Sequence, residues 1–123
     1  MTTQDTADLP VALIVTTSFV EAEDISDALR HYDLGEVSHV RDSRAALDRL
    51  ADGAAAPSLA LIAFDRNDTE FPFLLNRLHA ARTRIVLING HPELAQEFGT
   101  TFLLRPFSNS DLDTRIAEAM SRV

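Results

Sequence analysis

The chain has no cysteine, which excludes a disulfide framework and any thiolate metal site. It has no lysine either. All 11 basic residues are arginine, so neither a Schiff-base amine nor a lysine phosphate clamp is available. Positive charge is scarce altogether: with 19 acidic side chains the formal net charge is -8. That is the wrong sign for a general nucleic-acid binder, whose phosphate contacts need clustered cations. Long apolar runs are also missing. The stretch LALIAF from Leu59 falls far short of the ~20 residues a membrane span requires. The opening MTTQDTADLP is polar and acidic, without the basic and apolar regions of a secretory signal. These absences predict a soluble cytoplasmic protein with no membrane and no nucleic-acid partner.

What remains is 123 residues, enough for one domain with its own core. We expect a flexible tail over residues 1–10 and a single domain over 11–123. VALIVT from Val11 is a continuous apolar run rich in β-branched residues, which suits a strand covered on both faces. Ser18 to Glu21 is a capping box opening a helix to about His31, with Val20, Ile25, Ala28 and Leu29 facing inward. The unit recurs. GEVSHV (35–40) reads as a strand; Ser43 to Ala51 reads as a helix burying Ala46, Leu47 and Leu50, with Gly53 as its stop. SLALIAF (58–64) is the most apolar strand and therefore central. DRNDTEFP is loop chemistry, and the helix from Phe73 to Arg82 turns Leu74, Leu75 and Leu78 inward. RIVLI (84–88), a turn from Asn89 through Gly90 and His91 to Pro92, a short helix over 93–98 ended by Gly99, and the strand TFLL follow. Ser108 and Asp111 cap a final helix burying Leu112, Ile116, Ala119 and Met120.

Alternating strands and helices imply a parallel sheet covered on both faces. For five strands the expected order is 2-1-3-4-5, a doubly wound, flavodoxin-like α/β fold with its ligand crevice at the carboxyl ends of the strands. Chemistry is therefore expected just after each strand, at Thr16 to Ser18, Ala63 to Asp68, Asn89 to His91 and Arg105. The stretch LLRPFSNSDL poses the sharpest question, because a guanidinium at the end of a buried strand needs a partner.

At these strand ends the chain resembles a response-regulator receiver domain of the CheY-like class, over about Val11 to Met120. Arg105-Pro106-Phe107 matches the family's Lys-Pro-Phe, which carries a cis peptide before the proline. Asn89-Gly90 stands where the family has a Thr or Ser and a small residue, and PSLALIAF from Pro57 lines up with PDLVLLD-type strands. The resemblance implies an acceptor aspartate after strand 3, two acidic Mg²⁺ ligands after strand 1, and a lysine. Here those positions hold Ala63, Thr16 and Thr17, and Arg105. Alanine forms no acyl phosphate, and neutral hydroxyls compete poorly with the hydration shell of Mg²⁺. The reading is a degenerate, or pseudo-, receiver: not an enzyme, with no cofactor and no metal. It acts by phosphorylation-independent protein contact in a two-component-type pathway.

Two alternatives stay open. Asp65, two residues past Ala63, projects to the same face if the strand continues, and would serve as a displaced phosphoryl acceptor with a histidine-kinase donor. Alternatively Thr16, Thr17, Asn89 and Arg105 surround a small anion. Arg105 itself faces solvent, Asp65 or such an anion. The expected partner is a histidine kinase, an output protein or a second copy, docking on the face of the fourth helix, fifth strand and fifth helix around Phe102 and Phe107. The chain ends about one helix after Arg105: if it is the whole protein, output is expected through contact, and if it is an excised domain, through an output domain beyond Val123. His31, His39, His79 and His91 show no ligand spacing. Arg41, Arg44 and Arg49 alternate with Asp42, Asp48 and Asp52, as in a solvated mixed-charge face.

Overall fold

Alternate residues of a buried parallel strand face opposite sides of the sheet. In the computed structural model, which describes residues 11–32, 34–51, 56–89 and 92–121, that alternation builds two cores. The strands are β1 (Val11–Val15), β2 (Glu36–Val40), β3 (Leu59–Ala63), β4 (Arg84–Ile88) and β5 (Thr101–Leu103). The helices are α1 (Phe19–Leu29), α2 (Ser43–Ala51), α3 (Phe71–Ala80), α4 (Pro92–Phe98) and α5 (Asn109–Ser121). Ala12 and Ile14, Leu59 and Leu61, and Val86 and Ile88 pack under α1 and α5. Leu13 and Val15, Ala60 and Ile62, and Ile85 and Leu87 pack under α2, α3 and α4.

The sheet order is β2-β1-β3-β4-β5 with every neighbouring pair parallel, the doubly wound architecture that the alternation implies. The most apolar strand, β3, is central. Edge strand β2 is largely exposed and is tied to α2 by Arg49, whose Nη2 donates to Glu36 Oε1 at 2.8 Å and to Ser38 Oγ at 2.7 Å. Each fully buried Leu or Ile contributes roughly 1.5–3 kcal/mol of transfer free energy.

Several boundaries differ from the sequence-based expectation. Helix α1 ends at Leu29, not near His31, and Val20 is 70% exposed. Five residues before Ile25, Val20 lies ~140° around the helix from it; Ala22 takes the inward place instead. Helix α3 begins at Phe71 and ends at Ala80. Pro72 falls in its first turn, where a missing N–H is harmless, so the supposed loop residues Phe71 and Pro72 are helical. Leu104 lies outside β5 and is exposed, while Leu47 and Met120 are only partly buried. Residues 1–10, Gly53, Gly90 and His91 lie outside the described residues. Among the described residues, no helix is long and apolar enough to cross a membrane.

Candidate functional site at the strand ends

The carboxyl ends of β1, β3, β4 and β5 open into a crevice of about 420 Å³ that takes in Thr16, Thr17, Ala63, Asp65, Asn89 and Arg105. The five strand-end positions singled out from the sequence and Asp65 are thus brought together. Arg41, Asp42, Phe64, Arg66 and Asp68 complete the walls.

Thr16 is buried, and its hydroxyl is fully engaged: Oγ1 donates to Glu21 Oε1 at 2.8 Å and accepts from the Ser18 N–H at 3.2 Å. Its carbonyl accepts from His39 Nε2 at 2.7 Å, and the His39 ring meets Phe19 edge-on. Thr17, one residue on, is exposed. Asn89 adopts a left-handed φ of 58°, a region that Asn tolerates better than most residues. Its N–H donates to the Leu103 carbonyl at 2.8 Å, joining the ends of β4 and β5.

Arg105 faces Glu21. Its Nε donates to Glu21 Oε2 and its Nη2 to Oε1, both at 2.7 Å. This fork-on-fork geometry is the strong form of the arginine–carboxylate pair. The Glu21 side chain is 9% exposed and that of Arg105 37%. Burial alone raises the Glu21 pKa, but the hydrogen bonds from Arg105 and Thr16, with the charge of Arg105, outweigh it and hold the carboxyl below its usual range. Hydrogen bonding to Glu21 correspondingly raises the pKa of Arg105. The expected partners of Arg105 were solvent, Asp65 or an anion; the structure supplies a fourth. Sequence reasoning missed Glu21 because Ser18 to Glu21 reads as a capping box. Half of that box forms, with Ser18 Oγ accepting from the Glu21 N–H at 3.1 Å. The carboxylate does not return to the Ser18 N–H, which Thr16 takes instead.

Asp65 does not continue the strand. β3 ends at Ala63, and Asp65 Oδ1 accepts from the Asn67 N–H at 2.9 Å, closing a turn. The same-face argument for Asp65 therefore fails at its premise, although the residue still lines the crevice. Asp42 Oδ1 accepts from the Ala45 N–H, while Asp68 accepts from Ser43 N–H through Oδ2 and from Glu70 N–H through Oδ1. Each crevice aspartate thus accepts at least one backbone N–H, and Glu21 is paired with Arg105. Mg²⁺ needs hard, near-octahedral oxygen donors; Thr16, Thr17 and Ala63 do not supply them. Among the described residues no group of three His, Asp or Glu side chains is placed to hold a metal.

Phe102 and Phe107 are both half-buried and pack on opposite sides of the sheet, Phe102 over the α2–α4 core and Phe107 over the α1–α5 core. Between them Leu104 is 60% exposed. The arginines near α2 are partly paired, Arg44 with Asp48 and Glu70 and Arg49 with Glu36.

No protein-family model and no curated protein matches the sequence. Solved structures do match. The signal receiver domain of a putative LuxO repressor protein from Vibrio parahaemolyticus superposes with a TM-score of 0.73 at 20% identity, over 93% of this chain and 92% of that one. The fold is the receiver fold. Chemotaxis response regulator CheY4 of Vibrio cholerae gives 0.69 at 23% identity, over 90% of this chain and 98% of its own. The receiver domain of the putative response regulator NarL from Mycobacterium tuberculosis gives 0.67 at 19%, over 93% and 98%. The receiver fold accounts for the strand order and for the crevice at the strand ends. The Arg105–Pro106 peptide is cis, as the resemblance implies.

Proposed function

We propose that this chain is a receiver-type signalling module whose strand-end site takes no phosphoryl group and whose output is contact with another protein in a two-component-type pathway. The observation that carries the reading is the bidentate Arg105–Glu21 pair. In a phosphorylatable site the cation after the fifth strand would answer a charge arriving on the third. Here it is paired with Glu21 of α1, and the third strand ends in Ala63, whose methyl cannot form an acyl phosphate. No residue is assigned a catalytic role. The partner is a histidine kinase, an output protein or a second copy. The docking edge runs from α4 across β5 to α5, where Phe102, exposed Leu104 and Phe107 supply apolar surface.

An amide NMR titration with Mg²⁺, then with Mg²⁺ and beryllofluoride, tests this at Thr17, Asp65, Asn89 and Arg105. Unmoved resonances at all four are the expected result. Saturable shifts that require the metal and vanish in Asp65→Asn would overturn the proposal in favour of a displaced acceptor.

A further inference from the structure

At the end of the sheet away from the crevice, where β4 and β5 begin, lies a second cavity of about 650 Å³. That volume falls in the range of small-molecule sites. His79 at the end of α3, Arg82 in the following turn and Arg84 at the start of β4 line it. Among the described residues no carboxylate does. In a chain of net charge -8, such a pocket is a local inversion of sign.

Helix ends attract cations, and both α3 and α4 end here. Five of the last-turn carbonyls, however, already have backbone partners: Arg77, His79 and Leu78 accept from the N–H groups of Ala81, Arg82 and Thr83, and Gln96 and Ala95 from those of Gly99 and Thr100. The two stops then differ in a telling way. After α4 the left-handed residue is Gly99, at φ 63°; after α3 it is Arg82, at φ 62°. Glycine adopts that backbone without penalty, whereas a residue with a Cβ does not. A guanidinium is thus held at the cavity against local conformational preference, and among the described residues it has no ion-pair partner.

Apolar groups share the lining: the largely buried Ile85, and Phe98, which the His79 ring meets edge-on with centroids 5.7 Å apart. We propose that this cavity binds a small aromatic phosphate monoester, its dianionic head on Arg82 and its ring against Ile85 and Phe98. Guanidinium forks match phosphate oxygens, and Phe98 in the lining offers a single ring an aromatic partner.

Phenyl phosphate is the probe, followed by NMR at the Arg82, Gly99 and Thr100 amides, with inorganic phosphate and phenol as comparators. Saturable shifts are expected with phenyl phosphate, and affinities at least about tenfold weaker for each comparator, since losing a charge-assisted contact or an apolar one costs that factor or more. Arg82→Gly should weaken phenyl phosphate by about tenfold or more while the melting temperature holds or rises, because glycine suits the backbone there. Arg82→Asn, also at ease in that conformation, should behave alike. Absence of saturation at those amides up to about 10 mM phenyl phosphate, equal binding of phenol, or unchanged affinity in folded Arg82→Gly and Arg82→Asn would each overturn the proposal.

Discussion

Glu21 and Asp111 occupy the same place in the same motif, three residues after a serine that caps a helix. Asp111 closes its box reciprocally, accepting from the Ser108 N–H while Ser108 Oγ accepts from the Asp111 N–H. The Ser108 backbone and hydroxyl hold its pKa below the usual range. Glu21 turns away to Arg105. What separates them is tertiary: one helix start faces solvent, the other faces the end of β5. Removing the cation should therefore cost more than removing both charges, since it strands a nearly buried carboxylate. Arg105→Ala is expected to lower the unfolding free energy at neutral pH by ~2 kcal/mol, less than for a fully buried pair because Arg105 is partly solvated. The double variant with Glu21→Gln should lose only ~1 kcal/mol, as urea unfolding would measure. A carboxyl whose pKa is depressed by folding stabilises above its unfolded value of ~4.3 and loses that contribution as pH falls through the folded value. The advantage of wild type over Arg105→Ala should accordingly narrow below about pH 4.

Elements were more legible than contacts. Every strand and helix was readable from apolar period and cap, because both cores draw on strictly alternating residues such as Leu59 to Ile62. The boundaries that moved did so through chemistry blind to hydropathy: Pro72 entered a helix through its first turn, and Asp65 ended a strand by taking the Asn67 N–H. In the site, the five strand-end positions were legible because the fold dictates where they go. The partner of Arg105 was not, because it comes from a helix 84 positions earlier in the chain. Asp68 is a similar case, a loop aspartate that ties the β3–α3 turn to the start of α2 through the Ser43 N–H. Asp68→Ala should cost ~1–2 kcal/mol and speed amide exchange at Ser43 and Glu70 together. Asp42→Ala should affect Ala45 without Glu70, which separates a tie between elements from an ordinary cap.

For the molecule as a whole, the excess of negative charge acts on stability rather than on fold. Raising salt from about 10 mM to about 100 mM shortens the screening length from ~30 Å to ~10 Å. The melting temperature should rise over that range, because repulsion summed across a surface of net charge -8 weakens while the nearly buried Glu21 pair is screened little. A fall would mean that exposed pairs such as Arg30–Asp27 and Arg115–Glu118 outweigh the repulsion. The same pair that quiets the crevice also bears on the order in which the molecule assembles. Glu21 belongs to the first βα unit and Arg105 to the last, so the carboxylate can be taken out of water at little cost only after β5 has docked. Closing that loop is entropically expensive and rewarded late. A nascent chain that has made only its first four strands therefore carries an acid still tethered to water, and its first helix becomes electrically complete only when the final strand arrives.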